Sequence, residues 1–346
     1  MPTSEGSFPK VGNDPIYYSE INNFHNQVIN NGYYKIYGYT SGTANYPGKG
    51  LIKFTDNGWQ TTNSKTQNAG STWIAGGFGD NMIVASNGIY GASIDYENAK
   101  SGAYTIDAGS TWNVSANVPP YLTDITEVSI NGSVAIAIGR SEIGSAATAF
   151  SYTGGSTWFT SVSGPTGTGD ALLMYGLYQQ NTTTAYSTDG TNIYKTINGG
   201  SSWFDTTYDF QYGGKNLVLS GNSLISSNKG PFIVSATDIT DGTKQTFVKM
   251  QDGSFATNSV TATNGKIYWV SFDSVGTAGI LQLWKYDGLN VYSKYLIRST
   301  DLDETEIFYY YSLYGQYLNP PHLIEVNNIL YLNMYRNIVE IDVTRE

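Results

Sequence analysis

The chain has 346 residues, a formal net charge of −10 and no cysteine. Its length permits a large buried core, while the acidic balance opposes nucleic-acid binding, which needs a cationic footprint, and adsorption to an anionic membrane. The lack of thiols excludes disulfides and thiolate metal sites, and charged residues at only 13% leave a surface of Ser, Thr, Asn, Gln and Tyr.

Residues 1–32 are unlike the rest. A turn at Asn13-Asp14-Pro15 leads to Ser19, a suitable helix N-cap, and Glu20 suits a first helical turn. Ile21, Phe24 and Val28 then share one face of a short helix, which is too short to persist undocked. The stripe fits the chain's own side or a neighbouring subunit. Gly12, Asp14, Ile16, Ser19, Ile21 and Asn22 resemble the Gly-Asp-x-Ile-x-Ala-Ser-x-Leu-Asn leader near the start of many phage tail-fibre and other virion proteins. Asn13 is inserted, and Tyr18 replaces the small residue.

The first residues lack the basic-then-apolar profile of a signal peptide, and no later run is long enough to span a bilayer. A cytoplasmic product whose composition suits an outward-facing surface is expected on a virion, or otherwise in an extracellular setting.

From Tyr33 onward, short strands alternate with Gly, Asn and Asp turns. Leu51-Ile-Lys-Phe, a turn at Asp56-Asn-Gly58 and Trp59-Gln-Thr-Thr read as a shortened copy of the Trp-ended hairpin that recurs later in the chain. Clearer units run from Met82 to Ala116, Glu127 to Val162, Ala171 to Tyr208, Asn216 to Met250 and Ser259 to Ile297. An octet recurs within them. Thr66–Trp73, Thr105–Trp112, Ser151–Trp158 and Thr196–Trp203 each place a hydroxyl residue first, Gly fifth and Trp last. The Trp spacings are 39, 46 and 45 residues, a period that predicts propeller blades.

The octet reads as a tight hairpin turn. Asn68, Asp107, Thr153 and Asn198 are placed to accept hydrogen bonds from turn amides, and Gly70, Gly109, Gly155 and Gly200 supply a positive φ. Trp73, Trp112, Trp158 and Trp203 start the next strand and cover apolar area. These octets resemble the Asp-box, or BNR repeat, of sialidase-like β-propellers. The resemblance implies a link between the third and fourth strands of a blade, structural in role and away from the active centre. Only Asp107 keeps the namesake aspartate.

Two later blades keep a polar turn in place of the Trp box, at Thr240–Thr243 and Asp287–Asn290. The last segment, His322 to Val343, holds about three strands, and the N-terminal strand is expected to supply its fourth. The reading is an all-β, single β-propeller of four-stranded blades, seven or alternatively six, over residues 33–346, with a short N-terminal helical arm over 1–32. An insertion at 299–318 precedes the last blade. Its acidic run, Asp301, Asp303, Glu304 and Glu306, could hold Ca²⁺, although it lacks the spacing and mid-loop Gly of a calcium loop. Its aromatic run, with Tyr309, Tyr311, Tyr314 and Tyr317, suits a glycan, a subunit contact or simple burial.

The sialidase family clamps a substrate carboxylate with three arginines. This chain has Arg140, Arg298, Arg336 and Arg345, none in an early Arg-Ile-Pro motif, so that activity is not expected. A hydrolase working through two carboxylates would draw on Asp95, Asp124, Asp170, Asp273 or Glu325, but no spacing marks a pair. With only His25 and His322, a catalytic zinc is not expected either. No nucleophile elbow or phosphate loop occurs, and no cofactor is implied.

The chain therefore reads as a non-enzymatic virion structural or attachment protein. The arm would anchor it to other virion proteins, and the propeller would face host glycans or a neighbouring subunit in a multi-copy assembly. A carbohydrate-active enzyme with a carboxylate pair in its channel is one alternative. A secreted lectin or scaffold propeller is another.

Overall fold

The computed structural model describes residues 34–38, 52–60, 64–68, 74–76, 82–95, 101–118, 122–141, 144–165, 174–211, 217–227, 233–249, 254–257, 259–275, 278–298, 323–333 and 337–345. These build seven antiparallel sheets, each with four strands in consecutive hydrogen-bonded order, the blades of a β-propeller. One blade carries an additional short strand, Val260–Thr261, paired to its second strand.

The chain divides into two compact units, one of residues 49–226 and 236–244, the other of 1–48, 227–235 and 245–346. In the first unit, blade 1 has strands Ile52–Lys53, Trp59–Gln60, Ser64–Thr66 and Ile74–Ala75. Blade 2 follows with Met82–Ser86, Gly91–Asp95, Gly102–Thr105 and Asn113–Val114. Blade 3 has Leu122–Asn131, Val134–Ser141, Ala146–Ser151 and Phe159–Thr160. Blade 4 has Gly176–Gln179, Ala185–Thr188, Asn192–Thr196 and Phe204–Asp209.

Burial follows strand rank. In blade 3 the second strand is a continuous apolar run, Val134-Ala-Ile-Ala-Ile138, buried on both faces because a neighbouring blade covers each side. The two-residue fourth strand, Phe159–Thr160, is exposed. The three seams that join blades 1 to 4 are apolar cores, each closed by an octet tryptophan. Trp158 joins Ala92, Ile94, Ala135 and Ala137, and Trp203 joins Ile136, Ile138, Met174 and Leu177. Trp112 packs on Ile52, Phe54 and Val84, with its ring edge-on to Phe54 at 6.2 Å.

In the second unit, strands Ser254–Ala256, Ile267–Val275, Ala278–Tyr286 and Val291–Arg298 form blade 6 around the buried Tyr268, Trp269, Leu283 and Trp284. The blade opens at Ser254, five residues ahead of the expected start at Ser259, because Ser254–Ala256 pairs with the same strand that Val260–Thr261 joins farther along. Blade 7 takes Leu323–Val326, Ile329–Asn333 and Asn337–Asp342, and the N-terminal strand Tyr34–Gly38 pairs antiparallel with Asn337–Asp342. The expected union of first and last strands is therefore present.

The hairpin at Asp56–Gly58 differs from expectation. It joins the first and second strands of blade 1, not the third and fourth. Trp59 pairs with Thr66, the first residue of the true octet, so the resemblance is one of turn chemistry without equivalence of place.

Candidate functional site

The octets lie between the third and fourth strands of blades 1 to 4. In blade 2 the Thr105 hydroxyl donates to Asp107 Oδ1 at 2.7 Å and accepts from Gly109 N at 3.0 Å. Asp107 then accepts from Thr111 N at 2.9 Å and, through Oδ2, from the Thr111 hydroxyl at 2.6 Å. The Thr111 hydroxyl and amide and the Thr105 hydroxyl together hold the carboxyl well below its ordinary value of 3.8, at about 2. It is anionic at neutral pH and makes a poor general acid.

The other octets repeat this pattern with neutral acceptors. Thr157 N donates to Thr153 Oγ1 and Ser202 N to Asn198 Oδ1, each at 3.0 Å. Gly109, Gly155 and Gly200 all have positive φ, at 76°, 92° and 90°. In the first octet Thr66 Oγ1 donates to Asn68 Oδ1 at 2.9 Å, while Gly70 and Trp73 lie outside the described residues. Trp112, Trp158 and Trp203 sit just before the fourth strand rather than in it.

The next level of organisation is the seam, which the sequence reading missed. The carbonyls of the octet glycines of blades 2 to 4 accept from the preceding blade. Gln60 Nε2 donates to Gly109 O at 2.6 Å, Ser115 Oγ to Gly155 O at 2.7 Å and Ser161 Oγ to Gly200 O at 2.5 Å. Beyond Ser115, Ala116 N donates to Ser156 O, and Asn117 makes two bonds with the Trp158 backbone. Beyond Ser161, Val162 N donates to Ser201 O, and Ser163 O accepts from Trp203 N. Ser115-Ala-Asn117 and Ser161-Val-Ser163 both begin three residues after an octet Trp, a repeat visible in the sequence once the fold gives it meaning.

One aromatic side chain seals each of three seams. The ring of Tyr90 lies over Gly154, that of Tyr152 over Gly199 and that of Tyr208 over Gly242. Tyr152 also donates its hydroxyl to Asn198 O at 2.9 Å, and Tyr208 donates to Thr240 O at 3.0 Å. Within this polar stitching, apolar side chains face outward. The second octet residue is Ile106, Tyr152 and Ile197 in blades 2 to 4, with 55%, 47% and 62% exposure, and Ile89 in a neighbouring turn is 58% exposed.

The carboxylates considered for catalysis are placed as follows. Asp95 ends the second strand of blade 2, and Asp124 lies in the first strand of blade 3 at the register of Arg140. Asp273 is in the second strand of blade 6, opposite Ser254. Glu325 is committed to turn construction in its own unit, since its Oε1 accepts from Thr263 N, Thr263 Oγ1 and Asn328 N. A carboxylate not singled out from the sequence is the buried Asp189. It accepts from the amides of Thr191 and Asn192, from Asn192 Nδ2 and from the Tyr194 hydroxyl at 2.8–3.0 Å. Burial, reinforced by this neighbouring carboxylate, pushes the Tyr194 phenol up.

Arg298 ends a fourth strand and Arg345 lies in the terminal 3₁₀ turn. Among the described residues, no group of three or more His, Asp or Glu is placed to hold a metal ion, and no helix is long and apolar enough to cross a membrane. The arm with Ile21, Phe24 and Val28, the acidic run Asp301, Asp303, Glu304 and Glu306, and Tyr309, Tyr311, Tyr314 and Tyr317 lie outside the described residues, as do Asp170, His25, His322 and Arg336.

No family model matches the chain, and no curated protein matches it in sequence. Solved structures share its fold. A structure of YCF48 bound to a D1 peptide has a TM-score of 0.56 at 10% identity, covering 90% of this chain and 95% of that one. The GH74 xyloglucanase from Xanthomonas campestris gives 0.58 at 12% identity, over 88% of this chain and 53% of the enzyme. A chain of the mitotic checkpoint complex gives 0.56 at 11% identity, over 89% and 93%. At these identities the likeness defines the class, a seven-bladed β-propeller, and that class includes enzymes and binding proteins alike.

Proposed function

We propose that this protein acts by binding rather than catalysis, as an outward-facing structural or attachment component of a virion. The observation that carries the binding reading is the division of labour in the octets. Their polar groups bond within the turns and across the seams, while the second octet residue of blades 2 to 4, Ile106, Tyr152 or Ile197, faces outward. A side chain that protrudes from a hydrogen-bonded turn is pre-organised, so a partner loses little conformational entropy in meeting it. The YCF48 structure with its bound peptide supports a polypeptide partner for such a scaffold. The virion setting draws on the leader-like residues Gly12, Asp14, Ile16, Ser19, Ile21 and Asn22, which give residues 1–32 the role of anchor. Glycans and a neighbouring subunit are the partners that suit Tyr309, Tyr311, Tyr314 and Tyr317.

The test is incubation of the full chain with a panel of glycans and peptides, read for product and for retention. Retention without product, together with co-migration of the chain with particles in a density gradient, supports the reading. Product formed catalytically overturns it in favour of a carbohydrate-active enzyme.

A further inference from the structure

The turn-side face of blades 2 to 4 carries Ile89, Ile106, Tyr152 and Ile197 at 47–62% exposure. Hydrogen bonds and packing link these positions into one run. Ala108 N, in the octet of Ile106, donates to Ile89 O at 2.9 Å. Tyr90, next to Ile89, lies over Gly154, two residues after Tyr152. Tyr152 in turn donates to Asn198 O, beside Ile197.

The fold itself does not need apolar residues here. In the first octet the same position is Gln67, also exposed. Three successive blades nevertheless place Ile, Tyr and Ile there, at a cost in exposed apolar area that contact with a partner would recover.

The turns that carry the run are acidic or neutral. The turns at 87–90, 106–112, 132–133, 152–158, 180–184 and 197–203 contain no Lys or Arg. Asp107 follows Ile106 directly, and in the next blade Asp238 precedes and Asp241 lies within the corresponding turn, whose flanking Lys244 is paired with Asp209. Lys65 reaches toward this side but donates to Ser110 O at 3.2 Å. We infer that this face docks a cationic polypeptide segment whose apolar side chains cover Ile106, Tyr152 and Ile197 while its Lys or Arg groups meet Asp107, Asp238 and Asp241.

The same observations weigh against other occupants. A second copy would set Asp107 against like charge on a chain of net −10. A glycan stacks on flat rings, and three of the four protruding side chains are isoleucine. The inference rests on the binding reading but can fail separately from it.

The experiment uses a fluorescent synthetic peptide of alternating lysine and leucine, its glutamate-for-lysine counterpart, and the full chain. The expected result is binding of the lysine peptide only, weakening as salt rises because exposed charges are screened. Ile106→Ser with Ile197→Ser should weaken it by about 10-fold or more, in line with loss of interface anchors. Val162→Ser, at an 88% exposed position just past the fourth strand of blade 3, should leave it unchanged.

Both altered octet positions accept polar residues, as Gln67 shows, and an unchanged unfolding midpoint confirms that the fold is kept. No binding of the lysine peptide, equal binding of the glutamate peptide, or unchanged affinity in the double variant overturns the inference. So does concentration-dependent self-association that the double variant abolishes, because the face is then a contact between copies. Turnover of a glycan overturns the functional reading alone.

Discussion

Gln60 Oε1 accepts the indole N–H of Trp112 at 2.8 Å across 52 positions of sequence, while its amide nitrogen donates to Gly109 O at 2.6 Å. One side chain in blade 1 thus satisfies two polar groups of the next blade's octet. At the following seams the register-equivalent residues are Ala92 and Ile136, and the buried Nε1 atoms of Trp158 and Trp203 have no hydrogen-bond partner in the structure. Gln60→Leu keeps volume but removes the amide that both groups bond. It should destabilise the protein by ~1–3 kcal/mol, the cost of orphaned buried polar groups, measured by urea unfolding. No loss of stability would show that water replaces the amide without penalty.

Gly155→Ala should be far worse than Gly144→Ala. Both backbones lie in the left-handed region, at φ 92° and 81°, where a Cβ costs roughly 1–2 kcal/mol. At Gly155 the added carbon would also meet Ala92 Cβ at 2.7 Å, whereas at Gly144 nothing lies within 4 Å. Paired thermal unfolding curves measure the difference, and equal midpoints would mean that the seam yields.

Asp107 makes a defined contribution to pH dependence. Its folded value of about 2 lies below the ordinary 3.8, so the native state favours the ionised form. The associated stability is present above about pH 4 and is lost as pH falls toward 2. Solvent screening keeps it small, because the carboxylate is exposed. Asp107→Asn should reduce stability at pH 7 and flatten the acid limb of the unfolding profile. Parallel profiles for both proteins would contradict this role.

Asp189→Ala removes the acceptor of four hydrogen bonds from a buried site. A loss of ~3 kcal/mol or more is expected, since leaving even one buried polar group unsatisfied costs about 1–3 kcal/mol and several donors lose their partner together. Asp189→Asn should cost less. Hydrogen exchange at the Thr191 and Asn192 amides should rise in both variants, and unchanged exchange would show that other acceptors take over.

The blade count, the octets and the pairing of first and last strands were legible because each leaves a short-range trace. A polar turn residue, a Gly and a Trp recur at the offsets of Asp107, Gly109 and Trp112, and the second pair of polar turns, Thr240–Thr243 and Asp287–Asn290, also falls between third and fourth strands. The hairpin before Trp59 misled, because a polar turn with glycine and a following tryptophan has the same local chemistry whichever strands it joins. Glu325 likewise gave no sign that its oxygen would hold Thr263 and Asn328.

What this sequence determines alone is the interior of each turn. Thr105, Asp107, Gly109 and Thr111 find one another within a few residues, so the bonds among them need no further context. What the tertiary structure decided is the partner across each seam and the side chains left facing outward. Gln60, Ser115 and Ser161 meet glycines 39 to 49 positions away, and any donor of suitable reach would serve, so composition carries no mark of the choice. The exposure of Ile106, Tyr152 and Ile197 is equally a property of the packed blades, because an apolar residue reads as core until its neighbours are placed.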